Sequence, residues 1–460
     1  MTVTRLSAFV CSALLVPTLE AKTFVVAPNG PLTSVQDAID LAGDDDTIVV
    51  KAGVYVETLR IIGKDGLELR GVGTVIIDGR ELGSAGDGPA VTIEADDVEL
   101  RGLTIRNARP VPNDPGSNGA GVFATGSGLR LKLVRIENCS RAVLAVGNGV
   151  RVDDCKITSS RIDVVGNDAR IDDTVFVNCD NSAIDVDGDD ARITDCVIDG
   201  VTDGAAIVLQ GDDATIEDVK IRSVESGGIE LDGDRATIRS SSVEASGNVA
   251  FIVHGAEATL HKLRVNGAAM GISVIGAEAQ ITQCRVDRAF DGDGIRIEAA
   301  LQSTVTDNRV KVGSAAGIRI GANSGGTLLA RNVVLRCTNE GAAGFDLQSD
   351  DVTMFDNLAK DNVRHGLRIA GVGCDVESFT ATRNLRDGIR LETTASGTRL
   401  TDVLITKNGE HGVANLANGV ELRLAVLLGN RLDLANSGTF AVLDQVQFQS
   451  GGANVDVEPN

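Results

Sequence analysis

Charged residues recur along this chain at a spacing that would stack them. Asp163, Asp185, Glu230, Arg296, Arg319, Asp346, Arg368 and Arg390 fall at one repeating position. Asp187, Asp232, His254, Glu298 and Glu392 fall two residues later. Crowded carboxylates repel unless they are solvated, partly protonated or bridged by a cation such as calcium, which takes several oxygen ligands. Asp185, Asp187 and Asp232 are the expected ligands of such an ion. Arginine offers a planar fork that matches a carboxylate. Arg296 and Arg319 can therefore neutralise a substrate carboxylate while His254, or an arginine, takes the proton from the adjacent carbon. Glycosidic hydrolysis needs a pair of carboxylates, and Asp185 with Asp187 is the closest offer. The candidate catalytic positions are Asp185, Asp187, Glu230, Asp232, His254, Arg296 and Arg319. The plainer reading is an exposed strand face whose mixed charges keep it soluble.

A repeat must position these residues. The segments GISV, GIRI, GIRI, GFDL, GLRI, GIRL and GVAN begin at Gly271, Gly294, Gly317, Gly344, Gly366, Gly388 and Gly412. Upstream, AIDVDGDDARITDCVI, AIVLQGDDATIEDVKI and GIELDGDRATIRSSSV begin at Ala183, Ala206 and Gly228. The spacing is 21 to 24 residues, with one gap of 27. A fixed period in this range marks a solenoid. Each period holds three short runs of alternating apolar residues closed by polar turns, such as Ile207/Leu209, Ala214/Ile216 and Val219/Ile221. Runs this short and β-branched are strands. The prediction is an all-β solenoid: a right-handed, single-stranded parallel β-helix with three strands per coil of about 22 residues. About sixteen coils stacked ~4.8 Å apart would form a rod about 75 Å long. Within this frame FDGDGIRIE (Phe290–Glu298) is a turn entering a strand. Glu298 arrives too early for a calcium-binding hand.

The core columns follow from the same period. Cys155, Thr174, Cys196, Val219, Ser241, Leu263, Cys284, Asn308, Asn332 and Asn357 share one inward position. Two coils separate Cys155 from Cys196, too far to bridge, so free buried thiols are expected. Asn308, Asn332 and Asn357 should hydrogen-bond along the axis, and Asn362, Asn384 and Asn408 form a second such stack. His365, Asp387 and His411 each precede a repeat glycine in successive coils. Two histidines around an aspartate suit a transition metal or an acid–base pair. The unrelated residues elsewhere in that turn column favour a solvent-facing stack. The acidic turn column Asp168, Asp190, Asp213, Glu257 and Glu278 reads as a solvated edge. The loop Arg109–Asn118, with three of the eight prolines, interrupts the period and is a candidate groove wall.

Near the N-terminus, Ser34–Ala42 has Val35, Ala38, Ile39 and Ala42 on one helical face, with Ser34 and Asp37 resembling a capping box. This helix would cover the open end of the first coil. No comparable cap is apparent at the C-terminus. Residues 1–21 read as a signal peptide, with Arg5, an apolar run Leu6–Val16 and Ala21 before the cut. Residues 22–88 then form the cap and first coils, and 89–460 the remaining repeats of one continuous domain. Export to the periplasm, cell surface or medium is the expectation, with no membrane span. The net charge of −22 argues against nucleic acid and anionic membranes as partners. There is no Trp and one Tyr, so the stacking surface for neutral sugars is missing and an anionic glycan is the better ligand.

The opening KTFVVAPNGPLTSVQDAIDLAGDDDTIVVKAGVYVETLRI, followed by GLELRGVG and TVIIDG, resembles secreted bacterial right-handed β-helix proteins of the pectin lyase-like superfamily. There a strand, a capping helix and a D-T-I-x-V-x-x-G-x-Y-x-E segment, here Asp46–Glu57, precede the repeats. The resemblance implies the β-helix fold and a range of roles, from pectate lyases, polygalacturonases, pectin methylesterases and mannuronan epimerases to proteins of unknown role. The polygalacturonase N-T-D and R-I-K, the epimerase D-P-H and an esterase Q-D-T-L segment are absent. The expected function is recognition or processing of an acidic, uronate-containing polysaccharide, lyase-like or epimerase-like. The rival is a non-catalytic surface rod or adhesin-like glycan-binding protein.

Overall fold

The computed structural model describes residues 20–80, 88–108, 119–338 and 343–448, and the backbone of Val455–Val457. The proposed signal peptide, apart from residues 20 and 21, and the whole loop Arg109–Asn118 lie outside the described residues. Short strands follow one another along the chain, and every pairing between them is parallel. The coil Ile207–Gln210, Thr215–Glu217, Lys220–Val224 matches the triplet expected from the apolar alternation. Each strand pairs with its counterpart one coil on, so three ladders run the length of the molecule. There are about 18 turns of about 22 residues, two more than the repeat count suggested. The last first-strand segments, Leu432–Asn436 and Val455–Val457, lack the glycine signature and pair with each other. At ~4.8 Å per rung the rod is about 85 Å long.

Alternation explains the core. In Ile207–Gln210, Ile207 and Leu209 are buried, Val208 is half-buried and Gln210 is exposed. One continuous column of Val, Ile, Leu and Ala fills the interior. The repeat glycines are required by close approach: a Cβ on Gly388 would lie 2.2 Å from Ile405 Cγ2 and 2.7 Å from the Gly412 carbonyl.

The inward polar column forms as expected. Asn308 donates through Nδ2 to Asn332 Oδ1 at 3.0 Å, and Asn332 donates to Asn357 Oδ1 at 3.0 Å. The same oxygens accept the backbone N–H groups of Asn308 and Asn332. The second stack runs Asn362, Asn384, Asn408 and on to Asn430, one rung further than the repeat glycines indicated. Cys139, Cys155, Cys179, Cys196, Cys284, Cys337 and Cys374 are buried and free. Burial pushes the Cys284 thiol up to about 12, well away from a reactive thiolate.

The helix is Val35–Leu41, with Ser34 as N-cap accepting from the Asp37 N–H at 3.2 Å. This is the N-cap half of the expected capping box, and the two preceding amides go to Glu57. Glu57 reaches across to accept from Val35 N (2.9 Å), Gln36 N (3.2 Å) and Ser34 Oγ (2.8 Å). Val35, Ala38 and Ile39 are buried against the first strands. No helix among the described residues is long and apolar enough to cross a membrane.

Candidate functional site

The first-strand ladder carries the candidate residues in the expected register. Asp163 pairs with Asp185, Asp185 with Val208, Val208 with Glu230, Glu230 with Ile252, Ile252 with Ser273, Ser273 with Arg296 and Arg296 with Arg319. The neighbouring column runs Asp187, Gln210, Asp232, His254, Ile275, Glu298. The ladder thus spreads the predicted residues over many rungs; it does not gather them into one cluster.

The N-terminal half of this ribbon is acidic and largely open. Asp163 is held by Arg141 (2.7 Å) and Arg161 (2.9 Å). Burial raises its carboxyl against the pull of those arginines, and burial raises Asp185 as well. Asp187, Glu230 and Asp232 are exposed and His254 is half-buried; among the described residues none of them forms an ion pair. Glu230 rims a cleft of about 290 Å³ floored by Ala205, Ile229, Val249 and Ile252. Asp185, Asp187 and Asp232 do not converge into a three-ligand group. Asp187 and Asp232 stand two rungs apart, roughly 10 Å along the ladder. They do not by themselves form a calcium site, which takes six to eight oxygens at short range.

The C-terminal half is built differently. Arg319 Nη2 lies 3.2 Å from Asp293 Oδ1, and Asp346 stands between Arg319 (3.6 Å) and Arg368 (3.0 Å). Glu392 Oε1 accepts from Arg368 Nε (2.9 Å) and Arg390 Nε (3.2 Å). Arg296 pairs with Glu298 at 2.6 Å. The guanidiniums remain a quarter to a third exposed, while Asp293 and Asp346 are nearly closed from solvent at 3% and 8%. Burial raises Asp293 against the opposing effect of Arg319. Burial also acts to raise Glu392, but Arg368 and Arg390 outweigh it and hold the carboxyl below its ordinary value.

The turn column beside this network departs from the solvent-facing stack expected of it. Asp387 is fully buried and His365 is 2% exposed. His411 Nδ1 sits 2.6 Å from Asp387 Oδ1, which also accepts from the His411 backbone N–H at 3.2 Å. His365 Nδ1 is 3.1 Å from the other carboxylate oxygen, and Arg390 Nη1 is 3.6 Å from it. Burial would raise the Asp387 carboxyl; the two imidazoles outweigh that and keep it below its ordinary value. A carboxylate that orients a half-exposed imidazole is suited to proton transfer or to metal ligation. Asp293 occupies the same position, one residue before a repeat glycine, and was read from sequence only as part of a turn. Sharing that position with His365, Asp387 and His411 was the available signal. By contrast, Asp168, Asp190, Asp213, Glu257 and Glu278 are exposed, at φ of 58–60°, as a solvated left-handed turn allows.

The family model described as the right handed beta helix region matches residues 51–221 and 205–378. The chain belongs to this right-handed β-helix family. No curated protein sequence matches it. Among solved structures, a mannuronan C-5 epimerase module of Azotobacter vinelandii is 16% identical over 92% of this chain and 95% of its own, with a TM-score of 0.32. A surface adhesin of Streptococcus pneumoniae is 10% identical over 83% of this β-helix chain and 87% of its own, with a TM-score of 0.37. A pectin methylesterase solved with a hexasaccharide is 17% identical over 49% of this chain and 90% of its own, with a TM-score of 0.33.

Proposed function

We propose that the protein recognises or processes an acidic, uronate-containing polysaccharide laid along the first-strand ladder, as an exported protein. The observation that carries this reading is the column Arg296, Arg319, Arg368 and Arg390. Carboxylate partners hold each guanidinium in place while part of it stays open to solvent. Arginine has five donors in a fixed fork, and the internal pairs use only some of them. Adjacent rungs stand ~4.8 Å apart, so a polymer crossing them meets two guanidinium pairs, Arg296/Arg319 and Arg368/Arg390, with Asp346 on the rung between. The polymer's carboxylates would be neutralised there, which lowers the barrier to removing the neighbouring proton. In a lyase-like or epimerase-like reaction His254 or an arginine is the base. Asp185 and Asp187 would serve a hydrolytic variant, with Glu230 and Asp232 facing the polymer beside them. Calcium has a place in this reading only as a bridge that draws further oxygens from polymer and water.

The open, unpaired carboxylates Asp187, Glu230 and Asp232 favour a second reading, a non-catalytic acidic rod that displays or binds glycans at the cell surface. Purified protein would be mixed with pectate, alginate and other uronate polymers, with and without calcium. Ultraviolet absorbance of unsaturated products, polymer size and epimer ratio would be followed. Turnover lost in Arg296→Ala and Asp232→Ala supports the enzyme. Tight binding without turnover, weakened in Arg319→Ala, leaves a glycan-binding module. Neither binding nor turnover on any polymer removes the polysaccharide reading in favour of the rod.

A further inference from the structure

We infer that Asp387, Glu410 and His411 bind one divalent transition-metal ion of the zinc class. Their ligand atoms all lie within 4.8 Å of one another, and no other group of three such residues converges among the described residues. The set combines one imidazole with two carboxylates, which suits Zn²⁺ or Co²⁺; calcium would ask for more oxygens and no nitrogen. Asp387 is fully buried, with Oδ2 left without an aligned hydrogen-bond donor. His365, also buried, has neither ring nitrogen in a hydrogen bond, yet its Nδ1 stands 3.1 Å from that oxygen. Two buried polar side chains therefore meet at this point with unmet bonding capacity. An ion on Oδ1 would leave Oδ2 to His365, the arrangement by which an outer imidazole orients a ligating carboxylate. His411 and Glu410 are 32% and 37% exposed, which leaves an entry path and room for water ligands. His411 Nδ1 and Asp387 Oδ1 must part from 2.6 Å to roughly the 3.3 Å edge of a tetrahedral zinc site, a shift that the half-exposed ring can make. Arg386 at 3.9 Å from Glu410 and Arg390 at 3.6 Å from Asp387 oppose the ion's charge, so the affinity should be moderate.

The test uses untagged full-length protein stripped with chelator and titrated with Co²⁺. The expected result is saturation at one equivalent with a visible d–d band, displacement by Zn²⁺, and no displacement by millimolar Ca²⁺ or Mg²⁺. His411→Gln and Glu410→Gln alter partly exposed positions and should keep the far-ultraviolet dichroism of the wild type while raising the dissociation constant at least tenfold. Absence of saturable Co²⁺ binding below millimolar overturns the assignment. So does unchanged affinity in both variants, or displacement by Ca²⁺.

Discussion

The two halves of the first-strand ribbon share one backbone and differ in how they treat charge. From Asp163 to His254 the outward charges are carboxylates and one histidine: Asp163 is held by two arginines, Asp185 is half-buried, and Asp187, Glu230 and Asp232 face water. From Asp293 to His411 arginines, carboxylates and imidazoles alternate, and several of them are buried. The interior changes along the same axis. The inward polar column is Cys155, Thr174, Cys196, Val219 and Ser241 in the first half, and becomes the hydrogen-bonded stack Asn308, Asn332, Asn357 in the second. A solenoid couples each coil mainly to its neighbours, so a local choice of chemistry can persist through one half without affecting the other. A buried charge is tolerated only with partners, whereas an exposed one needs none. The second half is therefore where substitutions should be costly.

The largest contrast is expected in the core. Asn332→Val removes the acceptor of the Asn308 N–H and amide and should cost about 3 kcal/mol or more. Val219→Ala at the same inward position in the first half should cost about 2 kcal/mol. Urea denaturation midpoints compare them, and a cost for Asn332→Val no greater than for Val219→Ala would break the contrast. Next come the ribbon charges. Arg319→Ala strands the buried Asp293 and should cost about 2–3 kcal/mol, while Asp187→Ala and Asp232→Ala stay within about 0.5 kcal/mol. Equal effects in the same denaturation assay would mean that the network adds nothing to stability.

The smallest effect is a difference of sign with pH. Glu392 has a lowered folded pKa, so its stabilisation is present above the unfolded value and is lost as pH falls through the folded one. Asp185 has a raised folded pKa, so its ionised form carries a penalty at neutral pH that acid relieves. Glu392→Gln should therefore flatten the acid loss of stability below about pH 5, near the ordinary carboxylate range. Asp185→Asn should stabilise slightly at neutral pH, and that gain should fade on acidification. Midpoints measured across this range would show both slopes; a shared sign would refute the distinction between the halves.

Strand order, coil length, the register of the two outward columns and the asparagine stacks were legible in the sequence. The reason is geometric. A parallel stack with a period near 22 residues puts equivalent positions on adjacent rungs, and strict alternation within a strand decides which side chains face in. Asp185, Glu230, Arg296 and Arg319 could therefore be placed in one column from spacing alone. The cap was less legible, because Glu57 meets the helix through a contact across more than twenty residues that no local motif announces.

The sequence picks out His365, Asp387 and His411 before the repeat glycines but reads there as a solvent-facing stack, and it misses the burial of Asp293 at the same position. That position lies in a turn, where alternation no longer dictates direction. Its residues Asp293, His365, Asp387 and His411 look like ordinary polar turn residues in the linear order. By itself the sequence determined a stacked coil and the columns that its period generates. Only the tertiary structure decided that Asp387 is buried between two imidazoles from the coils on either side, because burial and charge pairing at a turn arise from neighbours about 22 residues away in the chain and one rung away in space.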